Sequence, residues 1–306
     1  MSGLASPASP DRLWARAATL AAIRAFFTAR GFLEVETPIL LPTIIPERHL
    51  TPVAAGAGFL QASPEQCMKR LLARGYPRLF QIARAFRAGE RGQRHLPELT
   101  LLEWYRAGAG YQDLMADCQD LLLAVAQTLG LGPRLPFAGR LLDLTPPWPR
   151  LTVEQAFRQL AGIGAGRAAT AGTFDRLLCD RVEPWLGLDQ PLFLHDYPAA
   201  LASLARLRPD CPAVAERFEL YAAGCELANG FSELGDPDEQ RRRLLAEAEA
   251  WRQQGVDPGP LPERFLADLA AMPPAAGIAL GVDRLVMLMT DAASIDQVVA
   301  FPPDAC

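Results

Sequence analysis

Two alternating segments, "RLFQIARAFR" (78–87) and "LTLLEWYRAG" (99–108), face each other across the hairpin-sized loop "AGERGQRHLPE". Residues that alternate in character at every second position belong to a strand with one face on a core, and two such strands joined by a short loop pair antiparallel. Gln81, Ala83, Ala85 and Arg87 share one face of the first strand, and Glu103 and Tyr105 share one face of the second. A floor of small side chains, with an arginine at one strand end and a glutamate and a tyrosine on the partner, leaves room for a ligand. The charge gathered between residues 86 and 106 therefore furnishes a pocket on an antiparallel sheet.

The rest of the chain supplies helices to cover that sheet. Ser9, Pro10 and Asp11, followed by Leu13, Trp14, Ala17, Leu20, Ile23 and Phe27, give an N-cap, a proline in the first turn and a helical apolar stripe that Gly31 stops. "FLEVETPIL" then alternates Leu33 and Val35 against Glu34 and Glu36 until Pro38 ends the ladder at a sheet edge. Ser63, Pro64 and Gln66 read as a capping box that opens a helix running to Gly75. Residues 111–180 are mostly helical, with Pro- and Gly-rich joints at 132–150, and read as an insertion packed on the sheet. Strands return at "PLFLHDYP" and at the hairpin "ERFELYAAGCELANGFSELGD", which carries Glu226 and Glu233 seven residues apart. After an amphipathic helix, "GIALGVDRLVMLMT" is a small-residue strand turning into an apolar helix.

Several function classes are disfavoured. No apolar window reaches the roughly 18 residues of a membrane span, and "MSGLASPASPDRLW" lacks the basic and apolar regions of a signal peptide, so the expected location is the cytoplasm. The six cysteines are scattered without a C-x-x-C pair, which indicates neither zinc nor a disulfide framework. A net charge of −5 argues against a broad nucleic-acid surface. Lys69 is the only lysine among 30 basic residues. In so arginine-biased a chain, chance accounts for that, and a lone arginine is weak proof that guanidinium geometry was required.

Three pieces now stand in order: helix–strand–proline (11–38), strand–loop–strand with an arginine at the loop entrance (78–106), and Gly-rich strand–Asp–Arg–helix (277–289). They resemble the three motifs of class II aminoacyl-tRNA synthetase catalytic domains. "SPEQCMKRLLARG", "LLEWYR", "DYPAALASLARL", "ERFELYAAGCELANGFSEL" and "GIALGVDRLVML" narrow the resemblance to lysyl-tRNA synthetases and their truncated bacterial paralogues, the elongation factor P (R)-β-lysine ligases. It spans residues 11–301 and is weakest over 111–180. It implies an α+β fold, an antiparallel sheet flanked by helices, as one catalytic domain over 1–306 and a homodimer formed through the first helix and strand. Because the catalytic pattern starts within the first dozen residues, no N-terminal OB domain reading an anticodon is expected.

The resemblance also implies roles. Arg87 and Arg284 would offset the charge that builds when a carboxylate attacks the α-phosphate of ATP. ATP would be held by Arg87, Glu90, Glu226, Leu227, Gly281 and Arg284, with Mg²⁺ on Glu226 and Glu233 as hard oxygen donors. β-Lysine brings two ammonium groups that need partners on leaving water, and Ser63, Pro64, Glu65, Glu103, Tyr105, Asn229, Glu233 and Ala279 resemble that set. The acceptor would be a lysine ε-amine of elongation factor P, reached without a general base because the adenylate is already activated. Taken alone, Ser63–Glu65 are explained by helix capping, Gly281 by a tight turn, and Glu226 and Glu233 by an exposed hairpin.

Some positions depart from the family. Its motif 2 reads His-Asn-Pro-Glu-Phe, where Asn contacts ATP and Phe stacks on adenine. Here His95-Leu96-Pro97-Glu98-Leu99 loses both contacts, and Gly89 stands where many relatives have the glutamate that here follows as Glu90. Ala279 replaces a usual glycine and, facing the pocket beside Gly281, would crowd the α-amino group of ordinary lysine. The alternatives are a lysyl-adenylate enzyme serving tRNA or another acceptor, and a catalytically weak paralogue that binds an amino acid or a protein.

Overall fold

Ser9 accepts a hydrogen bond from the Arg12 amide at 3.5 Å, and the helix it caps, Pro10–Ala29, ends where the chain turns through Gly31 at φ 74°. The structure, a computed structural model, describes residues 8–305; residues 1–7 of the opening segment and Cys306 lie outside it. Ile23, Phe26 and Phe27 form the buried stripe of this helix. Phe27 stacks on Phe80 at 5.0 Å and packs on Trp104 at 5.2 Å. Phe80 and Trp104 are directly paired across the first hairpin, Arg78–Phe86 with Glu98–Ala107. Strand alternation therefore sends their neighbours Gln81 and Glu103, also paired, to the opposite face.

The main sheet runs in the order Leu33–Glu34, Arg78–Phe86, Glu98–Ala107, Ala275–Gly281, Cys225–Ser232, Cys211–Ala222, Leu192–Pro198, Arg150–Thr152. Its outermost pairs are parallel and the inner ones antiparallel. The late strand Ala275–Gly281 inserts between the two hairpins, which brings the third motif to the centre of the sheet. On one face, the helices Pro10–Ala29, Tyr111–Thr128 and Val282–Met289 cover the largest apolar core. This is the α+β architecture expected.

Two local expectations need correction. "FLEVETPIL" pairs with the main sheet only at Leu33–Glu34, and in parallel. Beyond Pro38 the chain leaves for a separate three-stranded sheet through Leu40–Leu41. The capping box is half formed: Ser63 Oγ accepts from the Glu65 amide at 3.0 Å, but Gln66 reaches Thr43 at 3.4 Å instead of turning back. The helix Glu65–Ala73 starts on the Pro64 carbonyl, which accepts from the Cys67 and Met68 amides.

Residues 111–186 contribute the helix Tyr111–Thr128, a small hairpin, the edge strand Arg150–Thr152, and short helices that pack a second apolar cluster on Leu194, Tyr197 and Tyr221.

Candidate active site

On the sheet face opposite the main core, two rows of directly paired residues cross four strands. Glu103, Ala279, Asn229 and Glu219 form one row; Tyr105, Gly277, Phe231 and Arg217 form the next. All eight line a cavity of about 460 Å³. Period-2 alternation makes this floor, because each residue between the rows turns into the core. Gly277 is required here, since a Cβ would come within 2.4 Å of both the Tyr105 ring and Glu233 Oε1.

One end of the floor is acidic. Glu103 has no exposed surface; it accepts hydrogen bonds from Ser63 Oγ at 2.6 Å and Tyr105 Oη at 2.9 Å. Burial, reinforced by Glu65, pushes its carboxyl up to about 8. Beneath it, the wholly buried Lys69 ammonium bridges Glu65, one turn back on its own helix, and Glu233. Burial disfavours the ammonium, but the two carboxylates outweigh it and hold it charged. The compact ammonium meets both carboxylates at once, so the single lysine of this chain, which the sequence alone left to chance, has a structural task as a buried bridge.

The other end is basic. Arg284 donates through Nη1 to the Glu226 carbonyl at 2.7 Å and through Nε to the Arg94 carbonyl at 3.1 Å. Its Nη2 lies 2.7 Å from His95 Nε2, which acts as acceptor there because arginine has only N–H donors. Burial and the Arg284 charge lower the His95 pKa, so the ring is neutral and carries its proton on Nδ1. Arg87 lies 3.8 Å from Glu90, and both line the cavity. Gly281 does not need to be glycine for a turn: its φ is −72°, and a Cβ would meet no protein atom closer than 3.8 Å. The space above it is open toward the cavity.

Of the expected site residues, Ser63, Glu65, Arg87, Glu90, Glu103, Tyr105, Glu226, Leu227, Asn229, Ala279, Gly281 and Arg284 all line this cavity. Pro64 stays buried behind the wall as the start of its helix, and Glu233 is withdrawn below the floor onto Lys69. Leu99 lines the cavity, whereas Leu96 is also part of the main core with 3% exposure.

The structure does not bring Glu226 and Glu233 together as a metal pair. Glu226 lies instead near Glu219, whose carboxyl is raised by burial and then by the Glu226 charge. Two like charges on a cavity wall suit a divalent cation, and Mg²⁺ commonly takes one or two carboxylates and completes its shell with phosphate oxygens. Among the described residues no cluster of three or more His, Cys, Asp or Glu side chains could hold a metal unaided.

Sequence reasoning missed Glu219, Arg217 and Lys69. Arg217 donates to Glu219 at 2.7 Å and to Asn229 at 3.2 Å, fixing both on the floor. Glu219 and Asn229 are cross-strand partners, and the alternation of "ERFELYAAGCELANGF" placed Glu219 seven residues before Glu226. For Lys69 the signal was its i,i+4 spacing from Glu65.

Residues 3–305 match the family described as class II tRNA synthetases (D, K and N). The chain is 39% identical to a protein of Klebsiella pneumoniae named elongation factor P–(R)-β-lysine ligase, over 97% of both chains. It is 41% identical to a protein of the same name from Pectobacterium carotovorum, over 96% of this chain and 95% of the relative. It is also 39% identical to a lysine–tRNA ligase of Dehalococcoides mccartyi, matching over 94% of its own length but only 63% of the relative's.

Proposed function

The chain belongs to the class II tRNA synthetases of the D, K and N type, and from that membership we propose that it activates (R)-β-lysine as an adenylate and passes it to a lysine ε-amine of elongation factor P. The observation that carries the proposal is one cavity with carboxylates buried at one end and arginines at the other. A substrate with ammonium groups and a carboxylate fits that polarity lengthwise. Its ammonium groups are received by Glu65 and Glu103, and Asn229 and Tyr105 add hydrogen-bonding groups. The carboxylate then points to Arg87 and the α-phosphate of ATP. It attacks phosphorus, and pyrophosphate leaves with the bonding electrons. Arg87 and Arg284, held in place before the reaction, stabilise the charge that develops on the phosphoryl oxygens. Glu219 and Glu226 would hold Mg²⁺, which supplies charge neutralisation at the phosphates.

The protein acceptor is supported by the relatives that match this chain from end to end and carry the ligase name. The exposed Trp14 and Leu40, 77% and 57% accessible, support a homodimer formed through the first helix and the segment after it. Among the described residues no helix is long and apolar enough to cross a membrane. ATP–pyrophosphate exchange with α-lysine and (R)-β-lysine in parallel tests the activation step. Exchange favouring (R)-β-lysine supports the proposal; exchange favouring α-lysine points to a lysyl-adenylate enzyme, and exchange with neither points to a binding protein.

A further inference from the structure

Glu47 stands apart from the other acidic residues of the cavity wall. Glu65 is paired with Lys69, Glu219 with Arg217, Glu226 with Arg284 and Glu247 with Arg48. The remaining acidic wall residues also have a hydrogen-bond or ion-pair partner. The Glu47 carboxylate has neither among the described residues, although its backbone is firmly held. The Glu47 carbonyl accepts from Trp251 Nε1 at 2.7 Å. The next amide, Arg48 N, donates to Glu247 at 2.7 Å, and the Arg48 guanidinium grips the same carboxylate. The peptide unit that follows Glu47 is thus pinned to the helix Pro237–Gln253, while the Glu47 side chain is left free in the cavity.

Its surroundings say what a free carboxylate could do there. Glu65, from the helix Glu65–Ala73, and Glu247, from the helix behind, face it with negative charge; Arg87 and Arg217 face it with positive charge. It therefore sits between the residues assigned above to the substrate ammonium and those assigned to the α-phosphate, which is where the acyl–phosphate bond of an adenylate would lie. We propose that Glu47 is the general base of the transfer step, taking a proton from the acceptor ammonium beside the adenylate carbonyl. This rests on the functional reading above.

The chemistry balances. The acceptor –NH₃⁺ gives one proton to the Glu47 carboxylate and becomes a neutral amine. Its lone pair forms the C–N bond at the adenylate carbonyl carbon, the bond from that carbon to the phosphate oxygen breaks, and AMP leaves with the electron pair. The surplus proton on the new amide nitrogen passes to solvent. An alkylammonium is a poor nucleophile until deprotonated, so an activated acyl group does not remove the need for a base. Burial and Glu65 lift the Glu47 carboxyl to about 7, where a base both carries its charge and holds a proton near neutral pH.

The test uses the protein with its adenylate formed in place and two nucleophiles: a primary alkylamine, which is protonated at neutral pH, and hydroxylamine, which is not. Glu47→Gln should slow transfer to the alkylamine roughly 10²–10⁴-fold while hydroxylamine transfer keeps most of its rate, and Glu47→Asp should recover part of the loss. The wild-type alkylamine rate should rise through pH about 7, an inflection the Gln variant lacks. Equal losses with both nucleophiles, or no loss with either, overturn the role of Glu47. A wild type that forms no adenylate overturns the functional reading itself, and this inference with it.

Discussion

Arg16 on the helix Pro10–Ala29 donates to Asp283 on the helix Val282–Met289 at 2.7 Å, across 267 residues of chain. The other Asp283 oxygen accepts from the Thr100 amide at 2.8 Å, and Arg16 also donates to the Thr100 hydroxyl at 2.8 Å. One buried cluster thus joins the first helix, the hairpin strand that carries Glu103, and the helix that carries Arg284. Asp283 follows the strand–helix junction at Gly281 and Val282 directly, so its position fixes where Arg284 emerges into the cavity.

Arg16→Ala would leave the Asp283 charge buried without its partner. Breaking such a pair costs about 3–5 kcal/mol, so the variant should show a large drop in the chemical-denaturation midpoint. A change within about 0.5 kcal/mol, the range of ordinary surface substitutions, would mean that the cluster does not hold the two ends of the chain together.

The Glu103 carboxyl titrates at about 8 in the free protein, raised first by burial and then by Glu65. Below that pH it is protonated, whereas an incoming ammonium favours the carboxylate, so binding releases a proton. Affinity for the amino acid should rise with pH, approaching tenfold per unit below about 8, and flatten above it. Because the folded pKa is raised, the same group also makes the fold less stable as pH rises from its ordinary value of 4.5 to about 8. Glu103→Gln should remove the slope in titration calorimetry; an undiminished slope would assign it to another group.

Leu99 lines the cavity, at the position where the family's second motif carries a phenylalanine, and we infer that a ring there would stack on the adenine. Leu99→Phe should lower KM for ATP about 2–10-fold, the worth of one aromatic contact. The neighbouring Leu96 is packed into the core. A Leu96→Asn change should therefore cost stability before it gains a nucleotide contact.

Ala279 lies between Glu103 and Asn229 in the central row of the floor, and its methyl group faces the cavity. Ala279→Gly should raise kcat/KM for α-lysine relative to (R)-β-lysine by about 10–200-fold, the worth of relieving one small steric contact. Parallel kinetics with both amino acids would decide it, and equal changes would take Ala279 out of the specificity argument.

The parts of the site legible in the sequence were those that local pattern determines. Alternation told which residues of 78–107 share a face. Leu99, Leu101, Glu103 and Tyr105 of the second strand and Arg87 at the end of the first line the cavity, whereas Gln81, Ala83 and Ala85 are not among its lining, and the small residues of the floor are Gly277 and Ala279. Resemblance to the family then supplied Arg87 and Arg284 from its second and third motifs and Glu226 from the hairpin "ELANGFSEL". What stayed hidden depends on pairing register, which shifts after Leu220 within the second hairpin, and on contacts between separate elements. Glu219 joins the floor through its pairing with Asn229, and Glu233 leaves it because Lys69 waits below. Gly281 was ambiguous until its φ showed that no turn required glycine there. Glu47 gave no signal at all, because what distinguishes it is the absence of a partner in three dimensions.

The most direct measurement is the intact mass of elongation factor P after incubation with this enzyme, ATP, Mg²⁺ and (R)-β-lysine, with the Arg284→Ala variant run alongside. The account predicts one added β-lysyl group on a single lysine with the wild type and none with the variant. An unmodified elongation factor P, together with lysylation of tRNA by the same preparation, would contradict it.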